Sequence, residues 1–403
     1  MDIATIVKSL RRHKTAAALI VLEMALTCAI VTNALHLVVQ RVERLQQASG
    51  VAEDELVRLR VDTIGKPADG PARVRSDHAL LAQLPGVKAV TITNSLPFSN
   101  SSWNSGIMLT AEQRRSTLST ALYTASDDFI GALGLKLVAG RNFRPEEIND
   151  LPVDNSQPEW PVVIVNRRTA EKLFPGEDAL GRQVYINDRP TRIIGIVEEL
   201  ARPSERPPHE QFATLVPLRP SGDGGTWVLR TDPSQREAVR QAAARALQQA
   251  EPMQVISDQD TFTELRAKFF RQDKAMVGLL VGVSLALLLI TALGIVGLVS
   301  FWVQQRTVTI GIRRALGARR GQILRYFQAE NLMLAAVGAL LGVAGAFGIN
   351  LMLMALYELP RVPLGYLPLG AALLLGLGQL AVLAPALRAA RLPPATVMRD
   401  RAA

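Results

Sequence analysis

The chain has 403 residues, 48% of them hydrophobic, and its 45 Lys and Arg against 36 Asp and Glu give a formal net charge of +9. One cysteine, Cys28, excludes a disulfide framework, and four scattered histidines (His13, His36, His78, His209) show no metal-ligand spacing. The positive charge needs no nucleic acid to explain it, because the basic residues cluster beside long apolar runs where topology and anionic head groups place them.

A membrane helix needs about 20 mainly apolar residues to cross a hydrocarbon core of roughly 30 Å. Before the first such run, Ile3, Ile6, Val7 and Leu10 fall at helical spacing with Lys8, Arg11 and Arg12 elsewhere on the turn. That pattern predicts an amphipathic helix over 1–14 in the cytoplasmic interface, against the plainer reading of a basic flank. Residues 15–39 form the first span, TM1. The run is longer than a signal-peptide core of about 7–15 residues and no A-x-A-like site closes it, so it reads as a retained anchor. It carries Glu23, Asn33 and His36. An ionisable group at membrane depth is a functional candidate, so Glu23 has either a direct role or an interhelical hydrogen bond. His36, near the opposite end, fits among head groups.

Residues 40–274 form the external domain. In its base, residues 50–95 and 221–270, Glu55–Val61 (ELVRLRV) and Val87–Asn94 (VKAVTITN) alternate like strands around a helical Arg73–Leu84. Thr226–Thr231, Pro233–Ala250 and Met253–Ser257 repeat that β-α-β order. Such units merge into a four-stranded sheet with two helices on one face. Between them, residues 96–220 make an inserted subdomain with strand-like Pro161–Asn166, Gln183–Asn187 and Thr191–Val197. The runs SLPFSNSSWNSG and ARPSERPPHE read as exposed loops.

Three further spans follow: 275–303 (TM2), 332–357 (TM3) and 364–387 (TM4), none with a charged residue inside it. Glu358–Pro363 is a short external turn, and 388–403 is a cytoplasmic tail. Basic clusters before TM1 (Lys8, Arg11, Arg12, Lys14), between TM2 and TM3 (Arg306, Arg313, Arg314, Arg319, Arg320, Arg325) and after TM4 (Arg388, Arg391, Arg399, Arg401) fall on one side. By the positive-inside rule that side is the cytoplasm. The fold class is therefore a membrane α-helical protein of four transmembrane helices with an α+β extracytoplasmic domain of two subdomains. Gly278/Gly282 and Gly338/Gly342/Ala346 permit close helix approach, within the chain or across a dimer. Asn350 and Gln379 read as polar contacts between helices.

Catalytic patterns are missing. There is no G-x-x-x-x-G-K-[ST] phosphate loop, since the Gly65-Lys66 pair is followed by proline, and no G-x-S-x-G elbow. The chain reads as non-catalytic and is expected to bind no cofactor or metal itself. The segment 304–331 (QQRTVTIGIRRALGARRGQILRYFQAEN) holds more than topology requires. TM2 is expected to run on past the bilayer, turn near Gly317 and feed a short amphipathic helix into TM3. A basic interfacial elbow and a docking surface for a cytoplasmic partner both fit it.

TIGIRRALGARR at Thr309–Arg320 resembles the R-x-x-E-I-G-I-R-R-A-L-G-A motif of MacB/FtsX-like ABC transporter permeases, with Thr309 where that family usually has glutamate. PALRAARLPPATVMRD from Pro385 is similar to the family's ending, with Met398 at a leucine position. LPGVKAV at Leu84, DDFIGALGLKLVAGRNF at Asp127 and VVIVNRRTAEKLFPGEDALGRQV at Val162 resemble phrases of MacB-type periplasmic domains. The resemblance implies a permease subunit in a bacterial inner membrane, with both termini cytoplasmic and the large domain periplasmic. It implies a homodimer or a heterodimer with a related permease, and a separate cytoplasmic ABC ATPase that holds ATP and Mg. It assigns ATPase coupling to Ile310, Gly311, Ile312, Arg313, Arg314, Ala315, Leu316, Gly317 and Ala318, with Thr309 putting one polar contact in question. In the MacB branch a membrane-fusion protein and an outer-membrane channel complete an efflux pump for peptides, antibiotics or other amphiphiles. Two relatives of this architecture compete with efflux: a lipoprotein-releasing permease, and an FtsX-like regulator of a periplasmic enzyme, whose external domain is typically much smaller. An ATP-independent receptor would leave the 309–320 motif unexplained.

Overall fold

The computed structural model of the protein describes residues 14–65, 69–151, 159–204, 210–220, 224–251, 253–357 and 363–391. The amphipathic helix expected before Lys14, most of the external turn and the end of the tail lie outside them. The chain forms two units, one of residues 46–272 and one joining the residues up to Leu45 to those from Asp273 onward. Helix α1 (Lys14–Leu45) opens the second of these.

In the 46–272 unit, β1 (Leu56–Thr63), α2 (Gly70–Ala82) and β2 (Val87–Thr93) come first. Asp69 caps α2 by accepting from Ala72 N at 2.9 Å, and Pro71 starts its first turn, where a missing N–H is harmless. The insert follows with β3 (Trp103–Met108), β4 (Leu118–Thr124), α3 (Phe129–Leu133), β5 (Leu137–Gly140), β6 (Asn149–Asp150), β7 (Val162–Asn166), α4 (Arg167–Leu173), β8 (Gln183–Ile186), β9 (Arg189–Val197), β10 (Ala213–Val216) and β11 (Leu218–Arg219). Then β12 (Gly224–Thr231), α5 (Arg236–Ala250), β13 (Gln254–Thr261) and α6 (Phe262–Phe269) complete the unit.

The base is an antiparallel sheet in the order β13-β1-β12-β2. Alternation puts Val57, Leu59 and Val61 on one face, packed with Trp227 and Leu229 against Val74 and Leu81 of α2 and Val239 and Leu247 of α5. On the other face lies a buried charge cluster. Arg58, 5% exposed, donates to Asp258 and to Asp260 Oδ2 (2.7 Å), and Lys268 of α6 donates to Asp260 Oδ1 (2.5 Å). Burial alone would push the Asp260 carboxyl up, but Lys268 and Arg58 outweigh it and hold it below its usual range.

The insert is a sheet in the order β5-β9-β7-β10-β4-β3-β8, and β8 also pairs with β9, so six of its strands close into a ring. The β8–β9 hairpin turns through Asn187 and Asp188, whose φ of 51° and 62° suit a type I′ turn. Its core is Ile107, Leu122, Val163, Val165, Val184, Ile186, Ile193 and Phe212.

Where the domain receives its connecting segments, Arg266 of α6 lies over the rings of Phe98 (5.1 Å) and Phe270 (5.7 Å) and donates to Gln47 O (2.7 Å) and to Glu53. Phe98 in turn packs on Phe262, Phe269 and Phe270.

The second unit continues with α7 (Arg271–Gln305), α8 (Thr307–Ala315), α9 (Arg320–Tyr357) and α10 (Tyr366–Arg391). Helices α1, α7, α9 and α10 are each long and apolar enough to cross a membrane. Together with the α+β unit they give the fold class expected from sequence. The path between TM2 and TM3 differs from expectation. The second long helix stops at Gln305, α8 stands as a separate helix, and α9 runs unbroken for 38 residues. No separate amphipathic helix precedes the third span, because Ile323, Phe327 and Leu334 continue one buried stripe and no proline interrupts it.

The glycine pairs now separate in role. A Cβ on Gly342 of α9 would lie 2.3 Å from Cys28 Cβ and 2.8 Å from Ala25 O of α1, and one on Gly338 would lie 2.8 Å from Met24 Cβ. Gly278 and Gly282 of α7 meet no described atom within 4 Å. Polar residues join the helices as well: Asn33 donates to Ala346 O (3.2 Å), and Gln379 Nε2 to Gln328 O (3.4 Å). His36 is buried at 4% exposure with its ring 5.1 Å from that of Tyr366, so it packs on the start of α10.

Substituting Gly342→Leu should destabilise the bundle by about 1–3 kcal/mol or more, whereas Gly348→Leu, with nothing within 4 Å, should be nearly neutral; thermal unfolding in detergent separates them. For the charge cluster, a folded-state pKa below the unfolded value of 3.8 means that Asp260 contributes stability above that value and loses it as pH falls through the lowered one. Asp260→Asn should therefore cost about 1.5–3 kcal/mol at pH 7 and progressively less in acid, read from hydrogen exchange across β1 and α6.

Candidate coupling site

Arg306 is the residue at which α7 ends and α8 starts. Its N–H donates to Trp302 O (3.1 Å) and Val303 O (3.2 Å), and its carbonyl accepts from Ile310 N (2.9 Å), so it belongs to both helices. Its φ and ψ of −105° and 12° break the helical path between them. The guanidinium reaches α9, where Nη1 donates to Glu330 Oε2 (2.8 Å) and Oε1 (3.1 Å), and its centre lies 5.7 Å from the Trp302 ring. The Glu330 side chain is 1% exposed and that of Arg306 19%. The angle of α8 is thus fixed by a largely desolvated ion pair onto the next helix.

That phase divides the sequence-predicted residues between two sides of α8. Ile310 and Gly311 are buried. Ile312, Arg313, Ala315, Leu316 and Gly317 are exposed, while Arg314 and Ala318 are half-buried. Val308, Ile312 and Leu316, at a spacing of four, form an apolar ridge on the open side, with Leu316 83% exposed. Arg313 flanks the ridge with its guanidinium 5.5 Å from the Tyr326 ring of α9. Thr309, in the place of the family's glutamate, is exposed. At the far end Gly317 takes φ of 94°, a left-handed conformation that favours glycine, and Ala318 N closes the turn on Arg313 O (3.0 Å). Gln322 Oε1 then accepts from Arg319 N (2.9 Å), satisfying a donor at the start of α9.

Glu23 lies elsewhere, at the seam of α1 and α7. A Cβ on Gly294 would come within 2.8 Å of its Oε2, and one turn on Thr27 Oγ1 meets Thr291 Oγ1 at 2.9 Å. Gly294 is twelve residues before Arg306, roughly 18 Å along the helix. Trp302, Arg306 and Glu330 escape a reading of the sequence. Glu330 stands just before an apolar run, where a charged residue passes for a flank.

The fold and this elbow define a class: a protein whose described residues hold four helices long and apolar enough to cross a membrane, with an α+β domain spliced between the first two. Residues 18–246 match the family described as MacB-like periplasmic core domain, and residues 281–394 match the FtsX-like permease C-terminal family. The chain belongs to the MacB/FtsX-like family of ABC transporter permeases. It is 24% identical over 296 residues to the ABC transporter permease YvrN of Bacillus subtilis, covering 69% of each chain. To YknZ of the same organism it is 26% identical over 282 residues, 68% of each. To the macrolide export ATP-binding/permease protein MacB of Neisseria gonorrhoeae it is 28% identical over 250 residues, 60% of this chain and 37% of that one. Among solved structures, the extracellular domain of YknZ aligns with a TM-score of 0.33 at 15% identity, covering 50% of this chain and 100% of that one. The periplasmic region of MacB from Actinobacillus actinomycetemcomitans gives 0.34 at 16%, covering 56% and 97%.

Removing either member of the Arg306–Glu330 pair strands the other. Glu330→Gln or Arg306→Met alone should cost about 3–5 kcal/mol, and the double change to Met at both positions should recover most of that loss. A double-mutant cycle on thermal unfolding in detergent measures it.

Proposed function

We propose that this chain is the membrane permease of an ABC exporter and that α8 is the element through which a separate cytoplasmic ATPase moves it. The observation that carries this reading is the Val308–Ile312–Leu316 ridge: apolar, exposed, flanked by Arg313, and held at a fixed angle by Arg306 on Glu330. A short helix that presents two or three apolar knobs fits a hydrophobic groove on a partner. Its anchoring to both α7 and α9 means that a push on the ridge reaches two membrane helices together. ATP and Mg belong to the ATPase in this scheme, and this chain supplies no catalytic group. A permease dimer, of two copies or of this chain with a related one, would offer two such ridges.

The basic clusters around α8 and beyond α10 support a cytoplasmic position for the elbow and an extracytoplasmic one for residues 46–272, in a bacterial cytoplasmic membrane. Likeness to a macrolide export protein favours efflux of peptides, antibiotics or other amphiphiles over lipoprotein release or enzyme regulation. A membrane-fusion protein and an outer channel would complete such a pump.

Leu316→Asp and Ile312→Asp should reduce recovery of the co-expressed ATPase with the permease at least about tenfold, with the melting temperature of the permease unchanged. Undiminished recovery in both variants would remove α8 from the interface.

A further inference from the structure

Arg202 lies in the irregular run between β9 and β10 and is 5% exposed. The backbone around it is pinned from several directions. Ala201 N donates to Ser49 O (2.9 Å), the Tyr123 hydroxyl donates to Ala201 O, and Arg202 N donates to Gln211 Oε1 (2.8 Å). Phe98 N donates to Arg202 O (3.4 Å) and Asn100 N to Pro203 O (2.9 Å). The side chain is not satisfied to match. Nη2 donates to Asn104 Oδ1, while Nε and Nη1 are buried with no hydrogen-bond partner, as is the hydroxyl of Ser204 two residues on.

Buried Arg58 and half-buried Arg219 of this unit are answered by acid. Arg58 has Asp258 and Asp260, and Arg219 has Asp127 and Asp150. Among the described residues Arg202 has no carboxylate. Tyr123 does not supply the missing charge, because burial pushes its hydroxyl far above the ordinary phenol range and keeps it neutral. Burial also pulls the Arg202 guanidinium down from its usual value. A buried cation on a rigid backbone, with donors unfilled, is strongly unfavourable unless an anion completes it.

We propose that Arg202 anchors a site in the inserted subdomain for the carboxylate of a ligand. The carboxylate displaces the neutral Asn104 amide from Nη2 and takes Nε as well, which is the two-point geometry that guanidinium and carboxylate share. Asn104 is exposed, so the way in lies on its side. Nothing in this site depends on coupling to an ATPase.

The test uses the full chain in detergent, with phenylacetate and acetate titrated against chloride at constant ionic strength. Phenylacetate should raise the melting temperature saturably, by roughly 3 °C at ten times its dissociation constant, and slow hydrogen exchange in residues 96–104. Arg202→Met should abolish both responses, and its anion-free melting temperature should equal or exceed that of the unaltered chain, because the uncompensated charge is gone. Asn104→Ala should bind phenylacetate several-fold more tightly, having lost the internal competitor. The proposal is overturned if the response is not saturable, if sulfate and phosphate match it as screening of net charge would, or if it persists in Arg202→Met. It is equally overturned if Arg202→Met and Glu205→Gln lower stability alike, since Glu205 would then be an internal counter-ion.

Discussion

The contact on which the rest depends is the grip of α1 on the head of α7. Arg41 donates to Asp273, and Arg44 lies 3.6 Å from the same carboxylate, whose side chain is 8% exposed. The chain leaves the bundle at Leu45 and re-enters it at Asp273, so this pair ties together the two ends between which residues 46–272 are threaded. Asp273 also sits in the first turn of α7, where the helix dipole favours negative charge. Separating the two stems would expose or strand that carboxylate. They are therefore constrained to act as one connection, whatever moves the helices below them.

Just inside the domain a second knot receives that connection. Gln47 and Glu53 follow α1, α6 precedes α7, and Arg266 bonds to the first two from the third while lying on Phe98. Phe98 opens the insert, and its carbonyl neighbour across the seam is Arg202. The domain's first residues, its last helix and the insert's first crossing thus meet on one guanidinium and a group of phenyl rings. Phe98 holds φ of 65°, unusual for a bulky residue, and is kept there by contacts on every side. Cation–π and ring-edge contacts hold orientation as well as distance. The base sheet and the insert consequently share a defined joint and are not merely connected by loops.

The long helices are legible in the sequence because hydropathy is a local property, and 20 apolar residues in a row have few other uses. The strands of the base are legible for a similar reason: Val57, Leu59 and Val61 alternate with Arg58 and Arg60 within a single stretch. Ring closure in the insert is not, since the β3–β8 pairing joins Ile107 to Ile186 and no local pattern records it. The elbow is legible only through its resemblance to a family motif. Nine residues from Ile310 to Ala318 stand out as a block, yet which of them face outward depends on the helical phase set by the break at Arg306. That break is held by Glu330, 24 residues away on another helix. The sequence likewise marks Ser95–Gly106 and Ala201–Glu210 as exposed loops, but Ser95–Phe98 and Ala201–Pro203 are buried because the first run lies along the start of the second, and Trp103–Gly106 pair into β3.

The buried and half-buried ion pairs follow a common placement. Arg41–Asp273 lies where α7 begins, Arg306–Glu330 where it ends, Arg58–Asp260–Lys268 where the base sheet meets α6, and Arg219–Asp127–Asp150 where β6 and β11 meet the loop before α3. Such pairs add little net stability, because the desolvation of each ion offsets most of the attraction, and apolar residues of equal volume would serve as well. What they add is exclusiveness. Apolar helices packed through small residues, as α1 and α9 are at Gly338 and Gly342, can slide by a turn with modest loss of contact. A buried carboxylate cannot, since one register pairs it and the next leaves it bare. Placing these pairs at the junctions fixes the register at which each element meets its neighbour.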